Sequence, residues 1–247
     1  MNDRCKSLVL LLGLALAVAL AGCTQAADPL ESLIARHVEA RGGMERLEAI
    51  RTLRASGRAS AGPGREALVT REVRPPGRIR TEFAFQGVTA VYACDGSKCW
   101  SVDPRSDSFE PELMSEFDTS VAIAQADLLG PLVNWEAKGH SVELLGKEQV
   151  DGRETFKLKV TLSSGAVHTD YLDAESALLV RRDTTETLSG QAIEVETTYS
   201  DFRPVGGVVF PHFIRSSAKD RSDFLEVVVK EAELNPPLDD SRFEMPE

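Results

Sequence analysis

The stretch RETFKLKVTL, Arg153–Leu162, places Phe156, Leu158, Val160 and Leu162 on alternate positions against Lys157, Lys159 and Thr161. A period of two marks a strand with one face in an apolar core and the other in water. Asp151-Gly152, just before it, is a hairpin-turn sequence, which makes Ser141–Val150 its partner strand, and Ser163-Ser164-Gly165 closes the unit. The same period recurs outward. Towards the N-terminus, Ile79, Phe83 and Phe85 share a face with Thr81 while Arg80 and Glu82 take the other, and Val88, Ala90, Tyr92 and Cys94 continue after Gly87. Towards the C-terminus, Ala166–Asp173, Leu178–Glu186, Gln191–Phe202, Val208–Ser217 and Asp223–Leu234 are five more β segments. Turn signals at Gly62-Pro63-Gly64, Pro75-Pro76-Gly77, Gly87 and Asp95-Gly96 space the strands as in an antiparallel meander, of about twelve strands in all.

Two departures from this period predict helices. Leu33, Ile34 and Val38 recur at helical spacing until Gly42-Gly43 stops them, and a short second helix carries Met44, Leu47 and Ile50. Between Pro111 and Gly130, Leu113, Phe117, Val121, Ala124 and Leu128 follow steps of three and four, so a central helix over 111–130 is expected in the middle of the meander. Pro236-Pro237 leads into a polar tail. No linker-like stretch divides the chain, and all-β units of this size often form one domain, so 30–247 is read as a single domain.

The first residues form an address. Arg4 and Lys6 precede an apolar run, Leu8–Leu20, that is too short for a hydrocarbon core needing about 20 residues. It ends in Leu20-Ala21-Gly22-Cys23, which resembles a bacterial lipobox. The expectation is a lipoprotein signal peptide over 1–22, acylation of Cys23, and a tether over 23–29. More than one acyl chain on a single cysteine anchors stably. Thr24, where Asp favours inner-membrane retention in the enterobacterial pattern, points to a periplasm-facing position on the outer membrane of a Gram-negative envelope. With Cys5 in the leader and Cys23 lipidated, Cys94 and Cys99 remain in an oxidising compartment, flanking a turn, and a local cross-strand disulfide is expected; a redox-active pair lacks the Cys-x-x-Cys spacing.

Composition narrows function. The 39 Asp+Glu against 28 Lys+Arg, a formal charge of −11, imply no broad positive surface for nucleic acid. The acidic excess lies in 111–247 and reads as a solvated face. His37, His140, His168 and His212 are scattered singly and read as surface histidines, and the His168/Asp170 pair on one strand face lacks a third metal ligand. Neither a nucleophile elbow nor a phosphate-cradling loop occurs; Gly206-Gly207 reads as a tight turn, and Asp239-Asp240 sit in a tail that cannot be aimed. No catalytic residues, no metal, no cofactor and no enzymatic activity are expected.

Four segments in order carry a resemblance. They are His37–Leu47 with Ile50-Arg51-Thr52-Leu53 and Gly57; Tyr92–Trp100 around Asp95-Gly96; Leu172-Asp173 with Leu178–Arg182; and Tyr199–Pro211. Together they resemble the outer-membrane lipoprotein-sorting-like proteins of the LolA/LolB-like superfamily over most of residues 33–215. The resemblance implies a mainly β, α+β fold: a strongly curved antiparallel sheet, an incomplete barrel, with helices covering the concave face and acyl chains bound between. The lining residues expected are Phe83, Phe85, Tyr92, Phe156, Leu158, Val160, Ile193, Val195, Phe210 and Ile214, with Leu113, Phe117 and Val121 beneath a lid helix. Lipid or lipoprotein acyl chains are the implied partners of a membrane-anchored monomer. A protein-interaction or stress-sensing module on the same fold, with a filled core and envelope protein partners, is the alternative.

Overall fold

The computed structural model describes residues 29–104, 109–188, 191–219 and 224–246, and excludes the side chains of Phe117, Val121, Glu186, Thr187, Leu188 and Gln191. The leader, Cys23 and most of the tether therefore lie outside the described residues. The helix α1 (Pro29–Ala40) buries Leu33, Ile34, His37 and Val38 along one stripe, and α2 (Met44–Glu48) buries Leu47. Gly42 separates them because its backbone must pass against another chain segment: a Cβ there would collide with the Gly207 carbonyl oxygen, and its φ of 116° is open to glycine. The neighbouring Val209 amide donates to the Arg41 carbonyl at 2.9 Å, joining the helical start to a hairpin late in the chain.

Strands follow as β1 (Leu53–Ser60), β2 (Glu66–Arg74), β3 (Arg78–Phe85), β4 (Val88–Asp95), β5 (Cys99–Val102) and the short β6 (Glu112–Leu113). After α3 (Glu116–Ala124) come β7 (Ser141–Val150), β8 (Arg153–Thr161), β9 (Val167–Asp173), β10 (Leu179–Leu188), β11 (Gln191–Val205), β12 (Val208–Ala218) and β13 (Phe224–Leu234). All thirteen form one antiparallel sheet, in the order β6-β5-β4-β3-β2-β1-β13-β12-β11-β10-β9-β8-β7. Every hairpin joins neighbours, and the first strand pairs with the last, Leu53 opposite Leu234. The sheet would be a closed meander but for one interruption. Its two edges, β6 and β7, flank the segment that contains α3, so that segment sits where closure would require a sixth-to-seventh strand pairing. At the β1–β13 seam, Gly57 follows a bulge, and a Cβ on it would collide with the Val228 carbonyl oxygen.

The expected central helix is shorter than the 111–130 pattern. Glu112 and Leu113 pair with β5, Leu113 is 63% exposed, and Ser115 caps α3 by accepting from the Asp118 amide. Residues 125–139 run as turns instead of helix, carrying Leu132 and Val133 into the core. Arg41, just after α1, donates to the Leu128 and Leu129 carbonyls and ties this segment to the end of that helix, while Lys138 braces it internally on Asp127 at 2.6 Å and the Gly130 carbonyl at 2.8 Å.

The tail is also not the free polar segment expected. Thr52 donates to the Pro236 carbonyl, Leu238 and Phe243 are buried, and the Trp100 indole donates to the Phe243 carbonyl at 3.0 Å. Asp239 caps a 3-10 turn over Asp240–Arg242, Asp240 meets Arg74 and Arg78, and Arg242 joins Arg54 on the buried Glu72. The segment straps the convex face of β1–β5, where Ala93 and Trp100 would otherwise face water. Burial would raise the Glu72 carboxyl, but its two arginines outweigh that and hold it below the usual carboxylate range.

Candidate functional site

Alternation on β1–β4 and β12–β13 sends one face of each strand to the concave side, and α3 lies across it. Between them is a cavity of about 480 Å³, inside the range of about 300–1,000 Å³ common for small-molecule sites. Its wall is mostly apolar: Val69 from β2, Ile79 and Phe83 from β3, Tyr92 from β4, Ile214 from β12, and Val227 and Val229 from β13. Met114 and Ala122 close the helix side. The rings of Phe83 and Tyr92 meet edge to face at 6.3 Å between centroids. Cys94 at the wall is disulfide-bonded to Cys99 across the β4–β5 turn.

The expected lining residues separate into groups. Phe83, Tyr92 and Ile214 come together at the cavity. Leu158 and Val160 are fully buried, packed with Leu33, Ile34, Val38, Leu132 and Val133, and Phe156 and Phe210 lean against the same cluster. They belong to a filled core beneath α1. Val195 is buried, Ile193 is half-buried and Phe85 is half-buried at the end of β3, none of them at the cavity wall. Leu113 points to solvent from β6 instead of from a helix.

Arg71 is the residue that the sequence reading passed over. It stands between Val69 and Val73 on the inward face of β2, and its Nη2 donates to the Gln125 carbonyl and to Gln125 Oε1, both at 3.2 Å. Burial pushes its pKa down. The signal was available: an arginine at the apolar phase of an alternating strand is a break that an ordinary amphipathic strand does not need.

A polar row crosses the concave face from the filled part to the cavity. Leu158, Asp170, Arg182, Thr197 and Ser216 are successive lateral neighbours on β8, β9, β10, β11 and β12. Asp170, fully buried, accepts two bonds from Arg182 at 2.6 and 2.8 Å, and Thr197 and Ser216 share a hydroxyl bond of 2.9 Å. Burial alone would raise the Asp170 carboxyl, yet the Arg182 guanidinium holds it far below the usual range. His168 Nε2 lies 3.6 Å from Asp170, too far for a hydrogen bond, and has no hydrogen-bond partner among the described residues.

The histidines differ from the surface positions expected. His37, His168 and His212 are buried. His37 Nδ1 donates to the Ala177 carbonyl at 2.8 Å, and burial pushes its pKa down to about 4. These are packing histidines: among the described residues no three His, Cys, Asp or Glu side chains converge as metal ligands. Nor is any helix among them long and apolar enough to cross a membrane.

No family model and no curated protein matches the chain in sequence. Solved structures do match it in shape. A DUF1329 family protein from Desulfovibrio piger superposes with a TM-score of 0.60 at 13% identity, over 88% of this chain and 98% of that one. A LolA superfamily protein from Nitrosomonas europaea gives 0.56 at 14% identity over 88% and 98%. A domain from Vibrio parahaemolyticus assigned to outer membrane lipoprotein sorting gives 0.57 at 13% over 87% and 95%. At these identities the likeness concerns architecture, and the expected open, mainly β fold is the one found: the chain has the LolA-like fold.

Proposed function

We propose that the protein binds lipid or lipoprotein acyl chains in the bacterial envelope, without catalysis, and serves lipid or lipoprotein traffic towards the outer membrane. The observation that carries this reading is the apolar-walled cavity between α3 and the concave face of β1–β4, β12 and β13. Each acyl methylene moved from water into such a wall contributes about 0.8 kcal/mol, so several buried methylenes give useful affinity with no reacting residue.

In this reading residues 1–22 direct export, Cys23 carries the lipid anchor, 23–29 tether it, and 30–247 act as one binding domain. An anchored protein cannot shuttle, so it receives or hands over its ligand locally. The net charge of −11 offers little attraction to anionic headgroups, which leaves the anchor to hold the protein at the bilayer. Two measurements test the reading. Saturable uptake of a fluorescent acyl probe at micromolar concentration is expected, weakened at least tenfold by Ile214→Glu with the fold retained by circular dichroism; absence of saturable uptake overturns it. Metabolic labelling with an alkynyl fatty acid is expected to mark the protein and to vanish in Cys23→Ser.

A further inference from the structure

Resting on the acyl-binding reading, we propose that the cavity's ligand is a single-chain amphiphile with a monoanionic, carboxylate head, and that Arg71 receives that head. The other half-buried arginines of the strands have carboxylates of their own: Arg182 has Asp170, Arg181 has Asp183 and Glu196, Arg54 has Glu72, Arg80 has Glu82, and Arg74 and Arg78 meet Asp240. Arg71 has none among the described residues within ion-pair distance, and the bonds it makes, both through Nη2, go to Gln125. A guanidinium has five N–H donors, and the bonds Arg71 makes to Gln125 engage Nη2 alone. A carboxylate supplies both what the charge and what the remaining donors require, in the bidentate geometry that arginine favours.

The surroundings set the rest of the ligand. Thr81 stands directly across the β2–β3 pair from Arg71 and puts a hydroxyl on the same wall beside it. The wall is apolar on both sides of this pair, with Ile79 to one side and Phe83 and Val69 to the other, and Ile214 and Val227 come from β12 and β13. A charged point set in a mostly apolar wall matches a fatty-acyl carboxylate, its head at Arg71 and its chain along the apolar wall beside it. Among the described residues Arg71 is the one cation in the wall, and Asp118 on α3, bonded to the Ser115 hydroxyl at 2.6 Å, adds a negative charge there. A dianionic phosphate monoester would exceed the positive charge available, and a neutral ester would leave Arg71 unpaired.

The test compares cis-parinaric acid with its methyl ester on the full chain, delipidated over a hydrophobic resin, near pH 7.5. The free acid is expected to bind at least tenfold tighter than the ester. Arg71→Gln is expected to bind the ester as the unaltered chain does and to lose the preference, with Arg71→Lys in between; retained ester binding shows that the variant is folded. Acid and ester bound equally by the unaltered chain, or a preference that survives Arg71→Gln, overturns the role of Arg71 while leaving acyl binding in place. Neither probe binding overturns both readings. The unaltered chain decides the question by its acid-to-ester ratio even if Arg71→Gln does not fold.

Discussion

The two halves of the concave face are built from the same alternating strands and end differently. Beneath α1, Leu158, Val160 and Leu172 are wholly buried against the helix and against Leu132 and Val133 from the turn segment. Beneath α3, Val69, Phe83, Tyr92 and Ile214 face a space of about 480 Å³. The cover accounts for the contrast. The longer α1 sinks four side chains, whereas among the described side chains of α3 none is fully buried. A strand pattern decides which face turns inward; the length and side chains of the covering segment decide whether that face is filled.

Removing a carboxylate from the filled half is expected to have the largest effect. Asp170→Asn leaves Arg182 buried without its counter-ion, a change that typically costs about 3–5 kcal/mol, and a urea titration checks it. If the loss is below about 1 kcal/mol, the polar row is wetter than its burial indicates. Leu158→Ala follows, at about 2–5 kcal/mol for a fully buried leucine in a close-packed cluster. Ile214→Ala at the cavity wall removes a side chain that already borders empty space, so its cost in the same titration is expected at the low end or beneath that range. Equal losses at Leu158 and Ile214 would erase the distinction between the halves.

Acid sharpens the same contrast through two buried titrating groups of the filled half, His37 and Asp170. The folded pKa of His37, about 4, is below its unfolded value of roughly 6.5. The unfolded chain therefore binds the proton first, and His37 contributes stability that is complete above about pH 6.5 and lost as pH falls towards 4. At about 1.4 kcal/mol per pKa unit, the loss is up to about 3 kcal/mol. Asp170, also depressed, adds a further loss below about pH 4, as the unfolded carboxyl begins to protonate. Unfolding midpoints measured from pH 7 to 4 are expected to fall, and the slope between 6.5 and 4 is expected to flatten in His37→Gln.

Much of the sheet was legible because turn chemistry and alternation agree. The strands read as Ser141–Val150 and Arg153–Leu162 occur as β7 and β8 within one residue, around Asp151 and Gly152, both with positive φ. The 111–130 region was not legible, since Leu113 fits a helical step yet its backbone pairs with β5. Spacing alone carries no information about an edge strand that ends where a serine caps the next helix. The C-terminal strap was hidden for a related reason: its anchor is one aromatic, Phe243, in a polar segment, and its need arises from Trp100, far away in sequence. At the site, Phe83, Tyr92 and Ile214 and the core residue Leu158 carry the same inward pattern; only the placement of α1 and α3 tells them apart.

The smallest expected effect on stability is the one that isolates the cavity. Ala122 lies on α3 at the cavity wall, beside the cluster of Val73, Ile79, Cys94 and Cys99, and the methylenes added by Ala122→Leu are expected to enter the cavity. Leucine is also a good helix former, so α3 is not weakened. Stability is expected to change by about 0.5 kcal/mol or less, or to rise slightly as apolar surface is covered. Acyl-probe affinity should nevertheless fall severalfold, because the ligand loses volume it occupies. A stability loss above about 1 kcal/mol would mean that the space beneath α3 is packed like the space beneath α1.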